Sequence, residues 1–190
     1  MCQPLIEGSG MELGGSIFEE VNMDLSDLIK EQLLDTESWR SLAFAISSAQ
    51  RVNPIINEYA TDETKKMFRE QIELLWKLFW EGNFDVSFLM DELESRPEYS
   101  EDNSLSPLYY TMRALGVIFY SIRVAEGFEI IDNIIYTSTS MLNICSDIDS
   151  FALDFGHKGT ITLEQLEIEI QTEILDIIKL NGSVLKFWTV

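Results

Sequence analysis

Histidine is almost missing from this chain, with His157 the single example in 190 residues, and cysteine occurs only as Cys2 and Cys145. That scarcity argues against a disulfide scaffold, a Cys/His zinc site and most histidine-dependent catalysis. Bases are scarce as well: 13 Lys and Arg stand against 33 Asp and Glu, a net charge of −20. Such a field repels nucleic acid and anionic lipid and draws in basic partners. Four prolines leave long stretches free to form helix. No apolar run exceeds Ala114 to Tyr120, far below the roughly 20 residues of a membrane span. No Lys or Arg precedes Lys30 and no apolar core of an export signal lies before it, so the expected location is cytoplasmic.

With 46% hydrophobic residues the chain has enough apolar side chains for one core. Nearly every segment carries helical spacing, and none shows the alternation of a half-buried strand. The expected fold is all-α, a single-domain antiparallel bundle of about six to seven helices over residues 23–182. Residues 1–22, with four of the ten glycines, read as a disordered lead-in, and 183–190 as an apolar tail able to dock as an extended strand or in a groove.

Helix punctuation sets the borders. Asp24 or Ser26 caps a helix from Leu25 to Leu33. Trp39, Leu42, Ile46, Ala49 and Val52 form a stripe that Pro54 should end, pushing Asn53 out of helical conformation. A helix opens after Thr61 and stops at Gly82, with Trp76 and Trp80 opposite its main stripe, which predicts packing on two sides. Phe84 to Leu93 forms a short helix. The segment from Asp91 to Asp102, with six acids and Pro97, reads as a solvated loop. Ser106-Pro107 starts a helix that reaches the Gly127 link, and a long antiparallel partner follows. Thr162 and Gln165 form a capping box for a last helix through Ile170, Ile174, Ile177 and Ile178.

Candidate chemistry is thin. Asp154 to Gln165 has the first Asp and sixth Gly of an EF-hand loop, but Gly156, Lys158 and Gln165 stand where ligands belong, so a capping corner is the better reading. Glu164, Glu167, Glu169 and Glu173 resemble the carboxylates of a di-iron bundle, yet the Glu-x-x-His pairs are missing. Cys145 lies on an apolar stripe with no histidine beside it and reads as a small hydrophobe. No catalytic residue, metal site or cofactor is expected. Arg51, set among Ala49, Val52 and Ile55, needs a carboxylate, and Glu169 of the last helix is the expected ion-pair partner.

Glu37-Ser-Trp39, Phe44, Arg51-Val-Asn-Pro54, Ile72-Glu-Leu-Leu-Trp76 and the stretch from Leu163 to Leu175 together resemble the YjaG-like family of bacterial all-helical proteins of unknown function. The likeness spans roughly residues 37–180, with Gln50 departing from the glutamate that family carries before its arginine. It implies a helical fold, and similar helical proteins serve as immunity proteins beside bacterial polymorphic toxins.

Charge is uneven. Residues 1–38 sum to −8, 39–125 to −4 and 126–176 to −10. The expected function is that of a non-enzymatic acidic binding protein, an immunity-type inhibitor of a basic toxin such as a nuclease, with a nucleic-acid mimic as the alternative. The expected contact residues are Asp91, Glu92, Glu94, Glu98, Tyr99, Glu101 and Asp102, with aromatic anchors among Tyr99, Tyr109 and Trp188. Direct binding of nucleic acid or membrane is not expected, and the wide apolar helices leave a homodimer open.

Overall fold

A computed structural model describes residues 24–82, 85–104, 106–154 and 161–181. Among them there is no strand. The elements are α1 (Leu25–Leu33), α2 (Ser38–Arg51), α3 (Asn53–Tyr59), α4 (Asp62–Glu81), α5 (Ser87–Glu94), a 3-10 turn (Pro97–Ser100), α6 (Pro107–Ala125), α7 (Ile130–Asp154) and α8 (Leu163–Asn181). The seven helices read from periodicity are present, and α3 adds a short eighth. The lead-in 1–22, the tail 183–190 and residues 155–160 of the EF-hand-like loop lie outside the described residues.

Side-chain caps fix the starts of α1, α4 and α6. Asp24 accepts from the Ser26 N–H, Thr61 from the Thr64 N–H and Ser106 from the Leu108 N–H. Each side-chain oxygen satisfies a donor the first turn leaves free. Gly82 (φ +61°) closes α4, and Gly127 (φ +77°) turns the chain between α6 and α7, backbone that L side chains rarely adopt. Asn133 donates to the Phe128 and Glu129 carbonyls at 2.8 and 3.2 Å, which ties that link down.

Two expectations are corrected. Asn53 is helical: Val52 (φ −79°, ψ −2°) takes the break between α2 and α3, and Pro54 falls in the first turn of α3, where its missing N–H costs nothing. The segment from Asp91 to Asp102 is not a plain solvated loop. Leu89 and Leu93 are fully buried, so α5 runs on to Glu94, and the 3-10 turn after it buries Glu98. The two-sided packing expected of α4 is only half met. Trp76 packs against the core and donates its indole N–H to Gln50 at 3.1 Å, but Trp80 is 58% exposed.

The core has two parts. The larger joins α2 through α6 to the middle of α7, around Ile46, Ile56, Leu75, Leu115 and Ile118. The smaller gathers Ile29 and Leu33 of α1, Phe44 of α2, Ile134 of α7 and Leu175 and Ile178 of α8. Helix α7 spans both, so it is the spine on which α1, α2, α6 and α8 are assembled.

Candidate interaction surfaces and the buried polar seam

Three helices meet at a polar seam inside the apolar core. Arg51 of α2 donates to Glu167 of α8, from Nη2 at 2.6 Å and from Nε to both carboxylate oxygens at 3.2 Å. Gln171 donates to Glu167 at 2.8 Å, and Ser138 of α7 donates to Gln171 Oε1 at 2.6 Å. Arg51 also reaches Ser48 at 3.3 Å. A charge-assisted fork of this kind fixes the register of three helices at once.

The ion pair expected for Arg51 is therefore present, but its acid is Glu167. Glu169 is exposed. At about 100° per residue, two positions along α8 turn a side chain roughly 200° away, so only one of the two acids can face α2. The buried stripe of α8 is Glu167, Gln171, Leu175 and Ile178, whereas Ile177 is 56% exposed. The isoleucine row is the conspicuous pattern in the sequence. The i, i+4 spacing of Glu167 and Gln171 was the signal of the true inner face.

Cys145 lines the same seam and is buried. Burial pushes its thiol up to about 11, with the Glu167 and Asp149 charges adding and Arg51 opposing. That burial matches the apolar stripe on which the sequence places it.

Asp149 of α7 accepts from the Leu163 and Glu164 N–H groups at 2.9 and 3.0 Å. The capping box is formed as well, with Thr162 and Gln165 exchanging backbone-to-side-chain bonds at 3.1 Å. The start of α8 is thus held by side chains, two of the bonds coming from α7. Among the described residues no group of three His, Cys, Asp or Glu side chains is placed to hold a metal ion.

The seven residues expected to contact a partner divide in two. Asp91, Glu94 and Asp102 are exposed, and Glu101 is half-buried. Glu92 is partly withdrawn and accepts from Gln71 at 3.3 Å. Tyr99 packs on Phe119 with ring centroids 6.3 Å apart. Glu98 is removed from any docking surface because it is only 1% exposed. Its Oε1 accepts from the Thr61 N–H at 3.0 Å and the Thr61 hydroxyl at 2.7 Å, so it extends the cap of α4 from 37 residues away. Of the other expected anchors, Tyr109 is half-buried, with the Arg113 guanidinium 5.7 Å from its ring, and Trp188 lies outside the described residues.

Burial works against ionised Glu98, but the Thr61 and Thr64 hydrogen bonds outweigh it and hold its pKa below the ordinary 4.5. A depressed folded-state pKa gives stability that is fully present above the unfolded value and lost as pH falls through the folded one. Unfolding of the wild type should therefore become easier as pH falls below about 4.5. Glu98→Gln should flatten that acid limb, and Glu98→Ala should cost about 1–2 kcal/mol at neutral pH by stripping a helix cap. Urea titrations between acid and neutral pH test both, and an unchanged acid limb in Glu98→Gln would contradict the assignment.

The bond from Glu98 to Thr61 also brings the acidic segment to the α3–α4 corner. Glu58 and Asp62 are exposed at that corner, and Asp102 leads into α6. Arg113 of α6 bridges Asp147 of α7 at 3.4 Å, placing the C-terminal part of α7 at the same end of the bundle. Two bases at this end are paired with acids, Lys65 with Asp62 at 3.9 Å and Arg113 with Asp147. Acids from four separate stretches of chain thus gather at this end of the bundle.

A second acidic face arises where α1 packs on α7 and α8. The blocks 1–38 and 126–176 are far apart in sequence, yet this packing brings α1, with Asp27 and Glu31 exposed, onto α7 and α8, where Asp132, Glu173 and Asp176 are exposed as well.

No protein-family model matches the chain, and no curated protein or solved structure matches it either. No helix among the described residues is long and apolar enough to cross a membrane.

Proposed function

We propose that the chain is a non-enzymatic binding protein that recognises a basic protein partner through its acidic surface, acting in the cytoplasm as an immunity-type inhibitor of a basic toxin. The observation that carries this reading is the convergence of Glu58, Asp62, Asp102, Asp147 and Asp154 at one end of the bundle, where the bases Lys65 and Arg113 are already paired. Such a surface steers a cationic protein toward itself and disfavours acidic competitors.

A second reading, mimicry of nucleic acid, draws on the α1–α7–α8 face. Glu169, Glu173 and Asp176 follow one side of α8 at i, i+4 and i+7. Four residues of helix rise about 6 Å, close to the roughly 7 Å between successive phosphates of an extended strand.

Capture from a lysate of the native host across about 0.05–0.5 M salt separates the two. An immunity-type inhibitor should retain one basic protein at high salt. A mimic should retain several nucleic-acid-binding proteins at low salt and release them steeply. Retention of nothing basic at either salt contradicts both readings.

A further inference from the structure

Between α3, the start of α6 and the end of α7 lies an open groove of about 410 Å³. Its walls are Ile55 and Tyr59 of α3, Pro107 and Tyr110 of α6, and Ile148 and Phe151 of α7, with Ser104 at one edge. Tyr59 and Tyr110 lie with ring centroids 6.0 Å apart. Phe151 is 58% exposed and Tyr59 42% exposed, so large apolar area faces water in this groove. A concentrated apolar patch of this kind inside a charged rim is the signature of an interaction site.

The rim is acidic. Glu58 precedes Tyr59, Asp102 precedes Ser104 by two positions, and Asp147 and Asp154 flank Phe151 on α7. Glu58, Asp102 and Asp154 are all exposed. Arg113, a base bridged into this rim, is held by Asp147 at 3.4 Å and donates to the Tyr109 hydroxyl at 3.0 Å.

We infer that this groove is the socket for one aromatic or branched apolar side chain on a basic protein segment, whose neighbouring Lys or Arg residues meet the carboxylates of the rim. The inference rests on the proposed recognition of a basic partner and names where and how that partner is anchored. Charge decides the occupant. A second copy of the chain brings its own −20 to the same place and is repelled. A small ligand normally has most of its surface buried in its site, whereas two of the ring walls here stay half in water. A cationic segment carrying an apolar anchor satisfies both the groove and its rim, and desolvated aromatic anchors are where interfaces concentrate their affinity.

The test is an NMR titration of the full chain, labelled with nitrogen-15, by a pentapeptide of one tryptophan flanked by two lysines on each side. Peptides with glycine or glutamate in place of lysine serve as comparisons. The amides of Tyr59, Ser104, Tyr110 and Phe151 should shift, and the lysine peptide should bind at least about tenfold more tightly than the glycine one in low salt, the gap closing near 0.5 M. Ser104→Trp, at an exposed position, should fill the groove and abolish the shifts with no loss of thermal stability. The triple variant Glu58→Gln, Asp102→Asn, Asp154→Asn should keep the shifts and lose the lysine advantage.

Shifts scattered away from the groove overturn the proposal. Equal affinity for the glycine peptide overturns it in favour of a small-molecule pocket, and a dimer abolished by Phe151→Asp overturns it in favour of self-association. If Ser104→Trp leaves capture of a natural basic partner undiminished while the triple variant weakens it, the socket fails and the wider reading stands. If the peptide fills the groove but the chain captures no basic protein, the wider reading fails instead.

Discussion

Arg51→Met is expected to destabilise the protein by about 3–5 kcal/mol, because it strands Glu167 as a charge in the interior. The acid side chain is only 5% exposed and the guanidinium 19%, so water offers little relief. Gln171 would still donate to Glu167, but an amide hydrogen bond does not replace a bidentate cation. The comparison that isolates the pair is the double variant Arg51→Met, Glu167→Leu. Apolar replacement of both partners removes the unpaired charge along with the bridge, so the double variant should recover most of the loss and lie within about 1–2 kcal/mol of the wild type. Urea unfolding of the two single variants and the double variant reads the cycle. Additive losses would mean that Arg51 and Glu167 act independently and that the seam is held by other contacts.

Cys145 offers a second large effect. With its pKa near 11, the thiolate fraction at pH 8 is about one in a thousand, against about one in ten for a thiol at the ordinary 9.0. Alkylation by iodoacetamide in a Cys2→Ser background, which leaves Cys145 as the one thiol, should therefore run roughly a hundredfold slower in the folded protein than in urea. Burial adds steric exclusion to that figure. The rate should keep climbing with pH well past 9. Equal rates in folded and unfolded chain would show that the junction of α2, α7 and α8 opens freely, in conflict with the hydrogen-bonded seam.

These two sites also show what a sequence carries and what it hides. Signals confined to a few residues translate directly: the Ser106-Pro107 start, the Gly82 stop and the Thr162–Gln165 box all stand where local chemistry puts them. Each depends on backbone groups within one turn of helix. Glu98 could not be read that way, because it serves a helix that begins 36 residues before it, and no periodicity marks such a partnership. Glu167 was hidden by the isoleucine row beside it. Hydrophobic stripes report the inner face only when the inner face is apolar, and here an arginine from α2 makes a carboxylate and an amide the centre of α8. Of the expected contact segment, the exposed acids Asp91, Glu94 and Asp102 remain on the surface, whereas Glu98 became a structural cap. The groove left no trace in any single helix pattern. Its walls come from α3, α6 and α7 and meet only through the tertiary packing.

The acidic end of the bundle is the proposed recognition surface. The most direct measurement is the association rate with the captured basic partner as a function of ionic strength, for the wild type and for the variant Glu58→Gln, Asp102→Asn, Asp154→Asn. The wild-type rate should fall at least about tenfold between 0.05 and 0.5 M salt, and the neutralised variant should start lower and respond less. Identical rates and identical salt dependence in the two proteins would contradict it.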